Sequence, residues 1–289
     1  MSLWCVSIGL NYAGTAYKLN GCINDCNNIV RLMTKKMKLQ KEKTFIFTDN
    51  VDSENKSYPT KENIKKIFLM ISKQIKKNDI LYLHFSGHGF FIDGNNAGII
   101  TSTGGKIEKK LKECILLRNG GDDQTLKTIT SNNTICDAEF SDIIKLFKNI
   151  LFFGVLDCCN SGNVFDLSYN IRVKTEHSCY ENYCKASSKK ETYFYLTNNT
   201  KRPCFQSDIL FLSAVKERQV SWDTQDKNGN PAGALTSMLL EILELHDWTT
   251  LTYLDLLYML HIKLQQKYNQ DPQLSFCSPD IIVKNFLNH

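Results

Sequence analysis

Two near-continuous apolar runs constrain this chain more than anything else in it. Leu81-Tyr-Leu-His-Phe85 and Leu151-Phe-Phe-Gly-Val-Leu156 have the length of a strand and almost no polar face. A strand that is apolar on both sides needs cover on both sides, which calls for a parallel sheet between layers of helices. The surrounding pattern agrees. Strands are expected at 3–9, 45–47, 80–86 and 150–156. Helices are expected at about 21–38, from Pro59 to about Lys76, and on the stripe Phe140, Ile143, Ile144, Phe147. After a polar stretch at about 90–134, with one hairpin expected near 113–117, and an irregular stretch at 168–207, order resumes with a strand at 209–212. Two more helices carry Leu235, Met238, Leu239, Ile242 and then Leu254, Leu257, Tyr258, His261. His261 on that stripe reads as a packed histidine, and a last short strand is expected at 280–284. Strands alternating with helices give an α/β fold with right-handed crossovers.

The chain has 289 residues, 42% of them hydrophobic and 22% charged, which suits one large domain or two small ones. Its net charge of +5 is only mildly basic. The lysines are scattered, with pairs such as Lys35-Lys36 and Lys189-Lys190 as their tightest knots, so solvated faces explain them better than a nucleic-acid surface. No apolar run approaches the ~18 residues that span a bilayer. The start, Met1-Ser-Leu-Trp-Cys-Val, has no basic leader and reads as a first strand. Eleven cysteines, many read as unpaired thiols, without an export signal point to a reducing compartment, and a cytoplasmic location is expected. His177, Cys179, Cys184 and Cys204 match no common zinc spacing and are not taken as a metal site.

Both apolar runs break abruptly into chemistry. The first ends in Ser86-Gly-His-Gly89 and the second in Asp157-Cys-Cys-Asn-Ser-Gly162. If the two strands are neighbours in a parallel sheet, His88 and Cys159 meet at its carboxyl edge, where active sites of open α/β sheets collect. A thiol becomes a nucleophile when an imidazole takes its proton. Glycines beside the histidine allow close approach of a substrate backbone, and the amides of Gly89 and Cys159 are candidate oxyanion donors. Asp157 at the end of an apolar strand is costly unless paired. Asp25, in Gly21-Cys-Ile-Asn-Asp-Cys26, lies in the first turn of the first helix, where an acid complements the helix dipole. Two carboxylates at one sheet edge would suit the planar fork of arginine, with lysine second.

With these residues in view, the chain resembles the metacaspases of the caspase–hemoglobinase clan of cysteine peptidases, in their type I organisation. The likeness is carried by Gly9-Leu-Asn-Tyr12 with Leu19-Asn-Gly-Cys-Ile-Asn-Asp25, by His84-Phe-Ser-Gly-His-Gly89, and by Asp157-Cys-Cys-Asn-Ser-Gly162 with Val164-Phe-Asp-Leu167. Further segments are Leu212-Ser213, Gln219-Val-Ser-Trp-Asp223, Gly233-Ala-Leu-Thr236 and Tyr268-Asn-Gln-Asp-Pro-Gln-Leu-Ser275. The resemblance implies a caspase-like three-layer sandwich whose mostly parallel sheet has about six to eight strands. It implies a single peptidase domain over 1–289, with a large-subunit-like part at 1–167, an irregular connector at 168–207 and a small-subunit-like part at 208–289. His88 would be the base and Cys159 the nucleophile. Asp25 and Asp157 would receive Arg or Lys before the scissile bond, with Cys22 and Ser86 lining the pocket.

The departures shape the remaining expectations. Asn160 stands where the family usually has histidine, next to the nucleophile but outside the dyad. Of the residues implied for a calcium site, Asp166 and Asp137 match, while Ala138 replaces an acid and Lys112, beside Glu113, stands near another. Calcium takes six to eight oxygen ligands, so binding at Asp137 and Asp166 is expected to be weak and no cofactor to be required. No pro-domain is expected ahead of the first strand, and Asp226-Lys-Asn-Gly-Asn230 reads as a plain loop. Lys185, Lys189, Lys190 and Arg202 mark the connector as a place for self-cleavage. The expected activity is an Arg/Lys-specific cysteine endopeptidase, monomeric, acting on protein or peptide substrates and engaging neither nucleic acid nor membrane. The alternative is a weak or inactive homologue serving as a regulatory or binding module.

Overall fold

The computed structural model describes residues 1–93, 96–99, 111–119, 126, 129–159, 167–177, 190–198, 205–214 and 223–287. The elements, in chain order, are β1 (Leu3–Gly9), α1 (Cys22–Met37), β2 (Thr44–Thr48), α2 (Lys61–Ser72), β3 (Ile80–Ser86), β4 (Gly89–Asp93), β5 (Asn96–Ile99), β6 (Leu111–Leu116), β7 (Thr134–Cys136), α3 (Asp137–Ile144), β8 (Leu151–Asp157), β9 (Tyr169–His177), β10 (Lys190–Asn198), β11 (Asp208–Ser213), β12 (Asp223–Gln225), β13 (Pro231–Gly233), α4 (Ala234–Leu245), α5 (Tyr253–Tyr268) and β14 (Gln273–Phe276).

Eight strands form the central sheet in the order β10-β9-β14-β11-β8-β3-β1-β2. The block β11-β8-β3-β1-β2 is parallel, and β14, β9 and β10 add antiparallel strands at one edge. Side chains of the buried strands alternate between two cores, as the period of two requires. Cys5, Tyr82, Phe153 and Leu210 face the layer built by α1, α4 and α5. Trp4, Leu81, Phe152 and Phe211 face the layer that includes α2 and α3. The three-layer α/β sandwich expected from the apolar runs is therefore present.

Three expectations need correction. The stretch 90–134 holds more than one hairpin, because β4, β5, β6 and β7 make a second, four-stranded antiparallel sheet in the order β5-β4-β6-β7. The 168–207 connector is not irregular throughout. β9 and β10 pair over nine residues each, and β9 is stitched to the main sheet by β14. β4 pairs with β6 across about 20 positions and β9 with β14 across about 100, and such pairings leave no local pattern in turn residues or polarity. The end of the chain carries a single 3-10 turn at Pro279–Val283 rather than a strand, with its proline in the first turn, where no amide is needed. One pair of thiols is also joined: Cys114 and Cys136, opposite each other on β6 and β7, form a disulfide.

A buried polar seam ties the layers together beneath the sheet's carboxyl edge. His84, fully buried on β3, bridges the hydroxyls of Ser7 (3.0 Å) and Thr236 (3.2 Å). Burial pushes its pKa down to about 3, against about 6.5 for an unperturbed imidazole. The folded protein therefore holds His84 neutral, while the unfolded chain takes up a proton below about pH 6.5. This contribution to stability is intact above about pH 6.5 and falls by about 1.4 kcal/mol per pH unit as pH drops toward about 3. Urea midpoints of wild type and His84→Gln at about pH 7.5 and about pH 5 test this. The variant should lose less stability between the two, and equal losses would exclude His84 as the source.

Candidate active site

The parallel register of β3 and β8 pairs Ser86 with Asp157, so both chains leave the sheet side by side. His88 and Cys159 each lie two residues beyond that pair, on adjacent strand exits. The fit is close: a Cβ placed on Gly89 would stand 2.1 Å from the carbonyl oxygen of Cys159. Only a residue without a side chain fits there. Both His88 and Cys159 are half-buried, accessible at the edge yet held by it. Burial pushes the thiol of Cys26 up to about 12 and that of Cys5 higher still, which leaves those two cysteines without nucleophilic character.

The imidazole is oriented by Tyr12 and Tyr17, from the segment after β1. Nε2 of His88 lies 2.8 Å from the carbonyl oxygen of Tyr17. A carbonyl only accepts, so Nε2 carries the hydrogen and Nδ1 is the basic nitrogen of the neutral ring. The main chain of His88 is pinned from both sides. Its amide donates to the Tyr12 hydroxyl (3.0 Å), which in turn donates to the carbonyl of Leu116 (2.9 Å). Its own carbonyl accepts the amide of Leu116 (2.9 Å). Tyr12 is fully buried at φ 48° with its ring 5.0 Å from the imidazole, and Asp49 holds it there by accepting the amides of Asn11 (2.9 Å) and Tyr12 (2.6 Å).

Asp25 and Asp157 meet beside this pair. Asp25, 0% exposed in the first turn of α1, accepts the Ser86 hydroxyl (2.8 Å) and the amide of Gly233 (2.9 Å) through Oδ2. Asp157, 3% exposed, accepts the amide of Thr236 (2.8 Å), in the first turn of α4. A Cβ on Gly233 would lie 2.2 Å from Oδ2 of Asp157 and 3.0 Å from Oδ2 of Asp25. Two buried carboxylates thus converge on one glycine, at the positive ends of two helices. α1 opens at Gly21 with no side-chain cap of its own, and Asn11 Oδ1 takes the amides of Cys22 (3.0 Å) and Ile23 (3.3 Å) instead. Cys22, buried, sits one turn from Asp25 on the same helix face. The result is a buried acidic locus beside the two strand exits, with the backbone of Gly233 packed between its carboxylates.

The structure thus brings together His88, Gly89, Cys159, Asp25, Asp157, Ser86 and Cys22, all expected from sequence. Tyr12, Tyr17, Gly233 and Thr236 complete the site, and no role for them was read from the sequence. Tyr12 and the Gly233–Thr236 run stood within the segments that carry the resemblance; only contacts 76 and 208 positions apart define what they do. Of the two calcium candidates, Asp137 alone lies among the described residues. Asp137 opens α3 and accepts the amide of Ala138 (2.6 Å), and Glu139 is held by Lys61 and Lys65 (2.6 and 2.8 Å). Among the described residues no group of three or more His, Cys, Asp or Glu could hold a metal ion. Asn160, Asp166, Cys179, Lys185, Cys184, Lys189, Arg202 and Cys204 lie outside the described residues, while Lys190 opens β10, paired with His177. No described helix is long and apolar enough to cross a membrane.

The model of the metacaspase peptidase C14 domain matches residues 5–168, which include His88 and Cys159. The chain belongs to the metacaspase peptidase C14 family. Curated metacaspases are similar along nearly its whole length. Metacaspase-1 of Eremothecium gossypii is 26% identical, covering 94% of this chain and 63% of its own. Metacaspase-1 of Plasmodium falciparum is 27% identical, covering 91% and 38%. Metacaspase-1B of Neosartorya fischeri is 28% identical, covering 94% and 68%. The chain therefore spans between 38% and 68% of the length of these metacaspases. A solved protein from Geobacter sulfurreducens covers all of both chains with a TM-score of 0.62 at 15% identity, a likeness of fold.

Proposed function

We propose that this metacaspase is a cysteine endopeptidase that cleaves after Arg or Lys. The observation that carries the reading is the convergence of Asp25 and Asp157 on Gly233 beside the exits bearing His88 and Cys159. A guanidinium entering that pocket meets two carboxylates with little competing water, where charge-assisted hydrogen bonds are strong. Nδ1 of His88 takes the proton of Cys159, and the sulfur attacks the carbonyl carbon of the residue held in the pocket. The oxyanion forms against the amides of Gly89 and Cys159. The imidazolium returns its proton to the departing amine, leaving an acyl-enzyme. Water, deprotonated by Nδ1, hydrolyses it and restores the thiol.

Fluorogenic peptides ending in Arg, Lys or Asp test this on purified protein. Arg and Lys peptides should be turned over, and the Asp peptide should be slower by about 10²-fold or more, since like charges across a dry pocket cost several kcal/mol. Cys159→Ala should lower kcat/KM by about 10⁴-fold or more with the fold intact. Equal turnover of the Asp peptide would overturn the pocket, and activity surviving in Cys159→Ala would overturn the nucleophile. A folded wild type with no turnover would instead favour a binding or regulatory module.

Calcium dependence is expected to be weak. Ala138 supplies no ligand, and Glu139 is already paired with two lysines. Millimolar calcium should change peptide turnover by less than about tenfold. A larger gain that disappears in Asp137→Ala would overturn this.

A further inference from the structure

We propose that the cleft between α1 and α4, which shares no lining residue with the acidic pair Asp25 and Asp157, binds a small polyphosphate-bearing anion. The cleft has a volume of about 550 Å³ and is bounded by the middle of α1, by α4, and by the turn between β12 and β13. That size lies within the ~300–1,000 Å³ typical of small-molecule sites. Leu32 and Met238 supply an apolar floor, and Arg31, Lys35 and Lys267 supply positive charge from two separate helices.

The balance of charge in the cleft is set by how its acids are used. Glu244 is ion-paired with Lys227, and Glu241 with Lys263 at 2.8 Å. Asp226 stays ionised, held by the turn through the amides of Asn228 (2.8 Å) and Asn230 (3.0 Å) and by the side chains of Asn24 (3.1 Å) and Asn28 (3.3 Å), so one unpaired carboxylate stands against the three cations. Among the described residues, no carboxylate lies within ion-pair distance of Arg31, Lys35 or Lys267. Two buried polar side chains also line the cleft. Asn28, 8% exposed, holds the Arg31 guanidinium through its Oδ1 at 2.8 Å. Ser237, also 8% exposed, has a hydroxyl that makes no hydrogen bond among the described residues. A preset guanidinium, two ammonium groups and an uncommitted hydroxyl around an apolar floor match the chemistry of a phosphate ester or polyphosphate. Arginine engages phosphate bidentately and lysine as a point charge.

Calorimetric titration of the full chain with inorganic tripolyphosphate, at constant ionic strength, tests the site without using peptide cleavage. Failure here would leave the protease reading untouched, and failure of that reading would leave this one untouched. Saturable one-to-one binding with a Kd below about 1 mM is expected. Arg31→Gln with Lys35→Gln, both on the exposed face of α1, should weaken it by about tenfold or more. Ser237→Ala should weaken it by about threefold to tenfold. Lys73→Gln with Lys77→Gln removes the same charge from a distant exposed surface and should leave binding unchanged. Lack of saturation at about 1 mM, or equal weakening in both double variants, would overturn the proposal and reduce the effect to general charge attraction.

Discussion

Asp157→Asn is expected to lower kcat/KM for an Arg peptide by about 10²-fold or more while leaving the unfolding midpoint almost unchanged. The two effects separate because the carboxylate has two roles with different partners. Toward substrate it supplies charge to a desolvated cation, and truncating one partner of such a pair costs about 2–5 kcal/mol. Toward the fold it accepts the amide of Thr236 at the start of α4, and asparagine offers a side-chain oxygen of the same shape for that purpose. In the substrate-free protein, Asp157 and Asp25 also reach toward one glycine with like charge, so neutralising one relieves repulsion and offsets the weaker cap. Steady-state kinetics together with urea denaturation of the variant give both readouts. A large loss of stability, or an Arg-to-Lys preference and rate that do not move, would show that Asp157 serves α4 rather than the substrate.

Gly89→Ala should be nearly as damaging to turnover, for a reason of space rather than charge. Its Cβ would stand 2.1 Å from the carbonyl oxygen of Cys159 and 3.2 Å from the sulfur of Cys158. The nearest obstacle is backbone, so no side-chain rotation relieves it, and the strand exits must part. Displacing reacting groups by about 1 Å can cost about 10²-fold in rate, and a loss of that order is expected. Gly14→Ala is the matched comparison. Gly14 has φ +78° with nothing within 4 Å of the new methyl, so it should lose about 1 kcal/mol of stability and keep its turnover. If Gly89→Ala cleaves the Arg peptide at the wild-type rate, the close packing of the two exits is not a requirement of catalysis.

Much of the architecture was legible because its signals are local. The apolar runs at 81–85 and 151–156 announce strands buried on two faces, and a core of that kind admits few arrangements besides a parallel sheet between helices. The stripe Phe140, Ile143, Ile144, Phe147 marks the helix that became α3 and the residues just after it, with Phe140, Ile143 and Ile144 in its buried set. The polar stretches were less legible. Phe90-Phe-Ile92 is too short to declare itself, and it becomes a strand because β6 pairs with it from 20 or so positions away. β9 likewise depends on β14, which follows it by about a hundred residues, and β10 joins the sheet through β9. Non-local pairing of this kind leaves no period in the sequence around it.

The same division runs through the site. By itself the sequence singled out His88, Cys159, Asp25 and Asp157 as candidates, because each sits at an abrupt break from apolar strand or at the first turn of a helix. Only the tertiary structure decided what holds them. The Tyr17 carbonyl selects the imidazole tautomer, the Tyr12 hydroxyl anchors the main chain of His88, and the start of α4 gathers both carboxylates through the amides of Gly233 and Thr236. These are backbone and hydroxyl contacts between segments as far as 208 positions apart. Any residue can offer an amide or a carbonyl, so such groups carry no signature in sequence and acquire a role only when the fold aims them.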